Sequence, residues 1–239
     1  MLRRERDILV AAEPFEFVVS NVILSVLKTV REESAGTRLG SDDLSQYDLL
    51  NAADQICSGD VVITHSLSKS STLRAFFEAA KAAHRSFRLF TVDEDSDLAG
   101  SLDSVDILSA MRLATRVVIP AIALLPDGSC IAPAGTIPLC LAAKRHVVPV
   151  IVCAAFYKIT PFFIPHFDKT QPLYNPATVV PFSEAESFSN VHIVNPLFDL
   201  IPAQLVSLYI CHTSVLSPPH VYRLIGDYYH PNDTSNICA

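Results

Sequence analysis

The chain has 239 residues, of which 50% are apolar and 18% are charged, a composition that excludes a disordered polypeptide. Its 18 lysines and arginines stand against 25 aspartates and glutamates, which gives a net charge of −7. That balance argues against nucleic-acid binding by bulk charge, DNA binding included. A chain of this length suits one large α/β unit. We therefore expect a soluble globular protein with neither DNA nor a membrane as a partner.

The six cysteines show no spacing typical of a zinc site or a redox motif. Several lie in apolar runs, as Cys153 does, where a thiol acts as a small hydrophobic side chain. We interpret them as reduced thiols of a cytosolic, cytoplasmic protein. No apolar stretch reaches the ~20 residues of a membrane span, and the charged residues 3–7 do not resemble a secretory signal. No metal and no cofactor are expected.

Two amphipathic helices are predicted at the start of the chain. The first covers Phe15–Arg31 and the second about Leu44–Cys57, with a polar segment at Ser34–Ser41 between them. Gly59 ends the second helix. We expect both helices to serve packing rather than chemistry, and we assign residues 1–58 to a helical N-terminal segment.

From Gly59 onward short apolar runs alternate with helical patterns, and we assign residues 59–239 to one domain. Such alternation is typical of a Rossmann-like, mostly parallel, doubly wound sheet in an α/β protein. The predicted strands are Val61–Thr64, Arg88–Val92, Val117–Pro120, Val147–Cys153 and Val191–Val194. The predicted helices are Ser70–His84, Leu108–Ala114, Ile137–Arg145, Ala203–Cys211 and Pro219–Tyr228. A turn is predicted at residues 126–128 and a surface loop at Pro161–Pro181.

Polar residues follow two predicted strands, where a doubly wound sheet holds its ligands. His65, Ser66 and Lys69 come after the first strand, and hydroxyls with a lysine before a helix suit a phosphate. The segment has no glycine, so helix capping is the stronger interpretation. Residues 93–97 hold four carboxylates, which indicate a solvated loop more than a cation site. Ser66 with His65 or His212 lacks the G-x-S-x-G motif of serine hydrolases.

The last third of the chain is rich in aromatic residues, including Tyr222 and Tyr229. Tyrosine is favoured at protein interfaces, so this region fits either the edge of a core or an interface. Before it, Pro196 favours a strand-to-helix turn. Asp199 is predicted to cap a helix that begins near Ile201. The alternative role for Asp199 is to shape a subunit interface.

Residues 195–202 read N-P-L-F-D-L-I-P. Further motifs in chain order are Asp127-Gly128, Ala134-Gly135-Thr136, Leu141–Lys144, Val148–Ala154, Phe156–Lys158, and Pro181-Phe182 with Glu184. Together they resemble one family, which comprises the regulatory alpha, beta and delta subunits of translation initiation factor 2B and the methylthioribose-1-phosphate isomerases. The tail from Tyr222 to Asp233 is similar to the end of the beta subunits.

The resemblance covers about residues 59–233 and implies a Rossmann-like sheet preceded by a helical domain. It also implies a non-catalytic regulatory subunit of the guanine nucleotide exchange factor for initiation factor 2. Such a subunit assembles with alpha, delta, gamma and epsilon subunits, binds initiation factor 2 and senses its phosphorylation. The helix and strand that the family has between Val92 and Asp103 are absent from the prediction. The interface candidates are Asn195, Pro196, Phe198, Asp199, Pro202, Tyr222 and Tyr229.

The isomerase branch of the family uses a cysteine after the first strand and an aspartate before the helix near Val105. Ser66 stands at the cysteine position and Ser104 at the aspartate position. A serine with no base beside it does not replace a thiolate, so the resemblance implies lost catalysis, with both as vestigial positions. The alternative is a sugar-phosphate isomerase or phosphosugar-binding protein. Its ligand candidates are His65, Ser66, Lys69, Asp103, Gly135 and Thr136.

Overall fold

The computed structural model describes residues 17–34, 55–164, 166–167, 171–184, 190–211 and 215–230. Within these ranges the strands are β1 (Val61–His65), β2 (Arg88–Val92), β3 (Gly100–Leu102), β4 (Arg116–Pro120), β5 (Ala123–Leu124), β6 (Cys130–Pro133), β7 (Val150–Cys153), β8 (Phe198–Ile201), β9 (Leu208–Ile210) and β10 (Val215–Leu216). The α-helices are α1 (Phe17–Ser34), α2 (Ser71–Ala82), α3 (Ile107–Ala110), α4 (Thr136–Arg145) and α5 (Val221–Tyr228).

A seven-stranded sheet in the order β10-β9-β7-β4-β1-β2-β3 forms the centre of the molecule. All neighbouring pairs are parallel except β9 with β10, which is antiparallel. The three central strands β1, β4 and β7 are almost wholly apolar and buried, as expected of strands covered on both faces. The predicted α/β fold with a mostly parallel sheet is confirmed.

Alternate residues of the central strands point into two separate cores, one on each face of the sheet. On one face Ile63 and Val117 pack with Leu24 of α1. On the other face Val62 and Val118 belong to a second cluster, to which α2 contributes Phe76 and Phe77. The two phenylalanine rings pack edge to face with their centroids 5.3 Å apart, a favourable aromatic geometry. Helices therefore cover both faces, as the doubly wound prediction requires.

A second, three-stranded antiparallel sheet in the order β5-β6-β8 was not predicted. Its β5–β6 hairpin turns at residues 126–128, where the sequence predicts a turn, and Gly128 has a φ of +78°. A Cβ at Gly128 would stand 2.6 Å from the Pro218 carbonyl oxygen, so only glycine fits there. Strands of two to four residues are too short to give an alternating pattern that the sequence could reveal.

The first predicted helix is present as α1, and it packs on the α/β unit. Leu24 is 1% exposed in the main core, and Asn21 Nδ2 donates to the Tyr157 carbonyl at 3.0 Å. The second predicted helix, Leu44–Cys57, lies outside the described residues except for its last three. The division of the chain at residue 58 therefore stays a prediction.

Three element predictions are wrong. The predicted strand Val191–Val194 is not a strand, and β8 begins at Phe198 instead. The predicted helix Ala203–Cys211 is a single 3-10 turn at Ala203–Leu205 followed by β9, because Leu208–Ile210 pairs with β7. The interval after Val92, where no strand was expected, contains β3 beside β2. Short apolar runs fit either a helix or a strand, and tertiary pairing decides between them.

The described residues include no helix long and apolar enough to cross a membrane. Of the six cysteines, five lie in the described ranges and all five are free thiols: Cys57, Cys130, Cys140, Cys153 and Cys211. Burial raises the pKa of the Cys130 and Cys211 thiols to about 12. Such thiols stay protonated and unreactive at neutral pH.

Candidate functional site

The carboxyl edge of the sheet, where β1 and β2 end, gathers most of the predicted ligand residues. His65 is the last residue of β1, and its Nδ1 lies 3.1 Å from the Thr136 hydroxyl at the start of α4. That hydroxyl donates its proton to the Pro133 carbonyl at 2.6 Å. Thr136 therefore has only acceptor capacity left for the imidazole. The hydrogen-bond network thus assigns the proton of neutral His65 to Nδ1.

Ser66 follows His65 in a left-handed backbone conformation, with a φ of +55°, and it is 3% exposed. Its hydroxyl lies 3.3 Å from His65 Nδ1, so the serine does have an imidazole beside it, contrary to prediction. Because that nitrogen carries a proton directed at Thr136, it cannot remove one from Ser66. Ser66 and His65 are hydrogen-bonded and packed together, but they are not arranged as a nucleophile with its general base.

Gly135 caps α4 with a φ of +92° and supplies no side chain to the helix N-terminus. A Cβ at this position would stand 3.2 Å from His65 Nε2, so the imidazole occupies the space that a side chain would need. One free N–H group of the helix is bound by a residue of β8: Asp199 Oδ2 accepts the Ile137 N–H at 3.0 Å. A carboxylate at a helix N-terminus is stabilising.

The prediction that Asp199 caps a helix beginning near Ile201 is therefore wrong in its detail. Asp199 lies inside β8, opposite Ala132 of β6, and it caps α4, which begins 63 residues earlier in the chain. The sequence carries one signal of this arrangement, since Gly135 cannot cap α4 with a side chain of its own. The motif that resembled a family signature thus brings its carboxylate to the same crevice as His65.

Burial and charge act on the His65 imidazole in opposite directions. Desolvation lowers its pKa below the ordinary 6.5, whereas the carboxylates Glu94, Asp199 and Asp93 oppose that shift. Exposed Lys69 adds a small repulsion in the same direction as burial. The net shift is downward, so the neutral ring is favoured at neutral pH.

The acidic run after β2 ties the neighbouring loops together. Glu94 accepts from the Ser68 hydroxyl at 2.8 Å and from the Thr91 hydroxyl at 3.3 Å. Asp93 accepts the Ser104 N–H at 2.9 Å. Within the described residues no three or more His, Cys, Asp or Glu side chains form a group that could hold a metal ion. The role of Glu94 in fixing the β1–α2 loop was missed by the sequence reasoning.

The structure does not bring Asp103 and Ser104 next to Ser66. Both are exposed and follow β3, the edge strand, and β2 lies between β3 and β1. Two strand spacings of about 4.8 Å separate the ends of β3 and β1. The structure does bring Asp199 to the crevice near His65, although the sequence predicted that it caps a helix near Ile201.

Lys158 is a further polar group at the carboxyl edge, outside the predicted site residues. It lies just after β7, and its Nζ donates to the carbonyl of Ala121, just after β4, at 2.7 Å. Burial lowers the pKa of this amine. The family-like F-Y-K run marked Lys158 in the sequence but gave it no role. The contact joins two neighbouring strand ends.

The interface candidates divide into buried and exposed residues. Tyr229 is 3% exposed and its hydroxyl donates to the Ile159 carbonyl at 2.6 Å, so its side chain is packed within the chain. Asn195 Nδ2 donates to the Thr178 hydroxyl at 2.7 Å. Tyr222 is 68% exposed, and Pro202 is exposed as well.

Two more candidates hold the chain segment before β8 in place. Pro196 forms an isolated antiparallel bridge with Leu173, and Phe198 packs against the cluster that includes Phe167 and Ile131. These contacts are internal to the chain. Only Tyr222 and Pro202 of the predicted interface set present side chains mainly to the surface.

Residues 101–218 match the protein-family model described as "Initiation factor 2 subunit family". The chain is 32% identical over 197 residues to "Translation initiation factor eIF2B subunit beta" of Dictyostelium discoideum, covering 76% of this chain and 50% of that protein. It is 26% identical over 184 residues to "Ribose 1,5-bisphosphate isomerase" of Pyrococcus furiosus, covering 70% and 56%. The chain thus spans about half the length of these curated relatives.

Among solved structures, the fold is similar to the crystal structure of eIF2B beta from Chaetomium thermophilum. The TM-score is 0.74 at 19% sequence identity, over 98% of this chain and 77% of that one. At this identity the likeness concerns the fold alone. It matches the mixed α/β architecture with an N-terminal helix described above.

Proposed function

The chain carries a domain of the initiation factor 2 subunit family over residues 101–218, and on this premise we propose that it is a non-catalytic regulatory subunit of the guanine nucleotide exchange factor for initiation factor 2. Its partners in this proposal are the other subunits of that factor, of the alpha, delta, gamma and epsilon types, and initiation factor 2 itself. Sensing of phosphorylated initiation factor 2 is part of the proposed role.

The observation that carries the proposal is the use of the crevice's polar groups for internal contacts. Asp199 is bound to the Ile137 N–H, and the His65 proton is directed at Thr136. General acid–base catalysis requires groups that are free to exchange protons with a substrate. Ser66, at the position where the isomerases of the family resemblance carry a cysteine, has no available base. This arrangement supports a binding subunit rather than an enzyme.

The partner assignment is supported by the likeness to a protein named as a beta subunit. The exposed candidates Pro202 and Tyr222 lie on the α/β unit, on the segment after β8 and on α5 respectively. Exposed aromatic residues such as Tyr222 are favoured in interfaces. We propose these two residues as contact points for another subunit.

The proposal is tested by mixing the full chain with delta-type and alpha-type subunits and measuring masses by size-exclusion chromatography with light scattering. We expect a complex heavier than any single chain, and we expect Tyr222→Ala to weaken it. Arg74→Ala, at an exposed surface ion pair with Glu78 on α2, is the control, since such a pair contributes little to stability. A chain that stays monomeric with every partner at micromolar concentration would contradict the proposal.

The second candidate is a phosphosugar-converting or phosphosugar-binding protein, and the isomerase from Pyrococcus furiosus favours it. Its test is an assay with ribose 1,5-bisphosphate and with methylthioribose-1-phosphate, combined with thermal shift. Turnover that disappears in Asp199→Asn would establish an enzyme. A raised melting temperature without turnover would establish a binding site that has lost its chemistry. We expect neither turnover nor a shift, because both helix N-termini at the crevice are capped by side chains of the chain itself, Ser70 and Asp199.

A further inference from the structure

Basic residues collect at the amino edge of the seven-stranded sheet, opposite the crevice. Arg88 begins β2, and Arg112 lies just before β4. Lys144 and Arg145 end α4, just before β7, which pairs with β4. Because β2, β4 and β7 run parallel in one sheet, their first residues lie along the same edge. One further cation, Lys81, stands near the end of α2, before β2. We call this set the basic edge: Lys81, Arg88, Arg112, Lys144 and Arg145.

The cations of the basic edge are poorly compensated, although the chain has a net charge of −7. Asp60, just before β1, pairs with Arg116 at 3.1 Å. In the part of the chain that the structure describes, none of Arg88, Arg112, Lys144 and Arg145 forms an ion pair, and all four are exposed. Cations at helix ends interact favourably with the helix dipole. That effect does not explain Arg88, which begins a strand.

Val147 is a second, independent observation that suggests a functional role for this edge. It follows α4 with a φ of +59° and is 90% exposed. A β-branched residue in the left-handed region is a genuine outlier, at a position where helices usually carry glycine or asparagine. Exposure means that no burial offsets the strain. Such outliers cluster at functional sites.

A second exposed aliphatic side chain belongs to the segment that precedes a neighbouring strand of the same edge. Leu113 is 69% exposed in the segment between α3 and β4. Val147 occupies the corresponding segment before β7, and β4 and β7 are hydrogen-bonded neighbours about 4.8 Å apart. Each segment also carries exposed cations: Arg112 precedes Leu113, and Lys144 and Arg145 precede Val147.

We propose that the basic edge, with Leu113 and Val147 at its centre, is a docking surface for an acidic segment of a partner protein that carries aliphatic anchor residues. The cations complement carboxylates, and complementary charge gives orientation and a faster association rate. Leu113 and Val147 offer an apolar contact that a phosphate backbone does not use. Proteins that bind single-stranded RNA stack its bases on aromatic side chains, whereas the exposed apolar side chains named at this edge are aliphatic. An acidic, leucine-bearing peptide therefore fits better than RNA.

The experiment measures binding of the full chain to fluorescein-labelled probes by fluorescence anisotropy. The probes are a peptide of repeated Glu-Glu-Leu units, the same peptide with serine in place of leucine, and an oligouridine RNA of similar charge. We expect the leucine peptide to bind and to be weakened at least about tenfold by the double substitution Arg112→Glu and Lys144→Glu. Raised salt should weaken it as well.

Two variants separate the parts of the surface. Val147→Ser with Leu113→Ser should reduce binding of the leucine peptide to the level of the serine peptide. Arg223→Glu, an exposed arginine on α5, is the matched charge control and should bind like the unsubstituted chain. Circular dichroism melting confirms that each variant is folded. Equal binding of both peptides, binding of RNA as tight as the leucine peptide, or no binding of any probe would each overturn the proposal.

Discussion

The two edges of the seven-stranded sheet use their polar residues in opposite ways. At the carboxyl edge His65, Asp199 and Glu94 are bound to other groups of the chain. At the amino edge Arg88, Arg112, Lys144 and Arg145 are exposed, with no ion pair inside the described part of the chain. A parallel sheet places its ligand crevice at the carboxyl edge. In this chain the inner polar groups of that edge, His65, Asp199 and Glu94, are used in internal contacts, whereas the four cations of the amino edge are not ion-paired within the described residues.

The largest expected change in the free energy of unfolding is at Gly135, which packs against the His65 imidazole. Gly135→Val puts a side chain 3.2 Å from His65 Nε2 on a backbone with a φ of +92°. Left-handed backbone costs about 1–2 kcal/mol for a residue with a Cβ, and displacing the imidazole adds to it. We expect a loss of more than about 2 kcal/mol in the free energy of unfolding, measured by urea denaturation.

Gly226 on α5 is the matched control for Gly135. A Cβ there would meet nothing within 4 Å and its φ is ordinary. Gly226→Ala should therefore raise the free energy of unfolding by about 0.5–1 kcal/mol. Equal losses at the two glycines would contradict the account of the crevice as a tightly packed network.

The next effect concerns the cap that reaches α4 from β8. Asp199→Ala removes the acceptor of the Ile137 N–H and should cost about 0.5–2 kcal/mol by chemical denaturation. Asp199→Asn keeps an acceptor oxygen at the same reach and should cost less. Asp199→Ser is too short to reach from another strand and should resemble alanine. If serine fully restores stability, Asp199 acts within its own segment and the cross-strand cap is wrong.

A smaller effect of opposite sign is expected at the amino edge. Val147→Gly relieves a left-handed backbone on an exposed residue and should raise the free energy of unfolding by about 0.5–1 kcal/mol. Leu141→Gly, exposed within α4, should lower it by about 1 kcal/mol. The measurement is thermal and urea unfolding of both variants. A destabilised Val147→Gly would show that the valine is stabilising and not strained.

The smallest effect is a pH dependence at the carboxyl edge. Burial lowers the folded-state pKa of His65 below 6.5, so the unfolded chain binds the proton more readily. The contribution of His65 to stability is then complete above about pH 6.5 and falls as the pH drops toward the folded-state pKa. His65→Gln should flatten this part of the stability profile between pH 7 and 5. His84→Gln, at the amino edge, should leave that decline in place.

The sequence predicted those helices and strands that have a clear local pattern of apolar and polar residues. Strands β1, β4 and β7 are mostly continuous apolar runs and β2 is a short apolar-rich run. Helix α2 has a clear amphipathic period after its Ser70 cap. These elements were therefore found within a few residues. The second sheet was missed because β5, β6 and β8 are defined by pairing between distant segments. The same reason accounts for β9, whose apolar run was predicted to be helical.

The candidate site was predicted in part. His65, Ser66, Gly135 and Thr136 were named from the sequence, and the structure brings them together at one edge. Asp199 was named for another role because its partner, the N-terminus of α4, lies far away in the chain. Asp103 and Ser104 were placed at the site by alignment with a family pattern, and the intervening strand β2 keeps them away. The only local signal of this contact across 60 residues is that Gly135 offers α4 no side-chain cap.

The central claim is that this chain acts as an assembling subunit whose carboxyl-edge crevice has no chemistry of its own. Its most direct test is one sample of the full chain with delta-type and alpha-type subunits, measured for mass by light scattering and for conversion of methylthioribose-1-phosphate. The account predicts a stable heavier complex and no conversion of the sugar phosphate. A chain that remains monomeric beside those subunits and converts the sugar phosphate would contradict it.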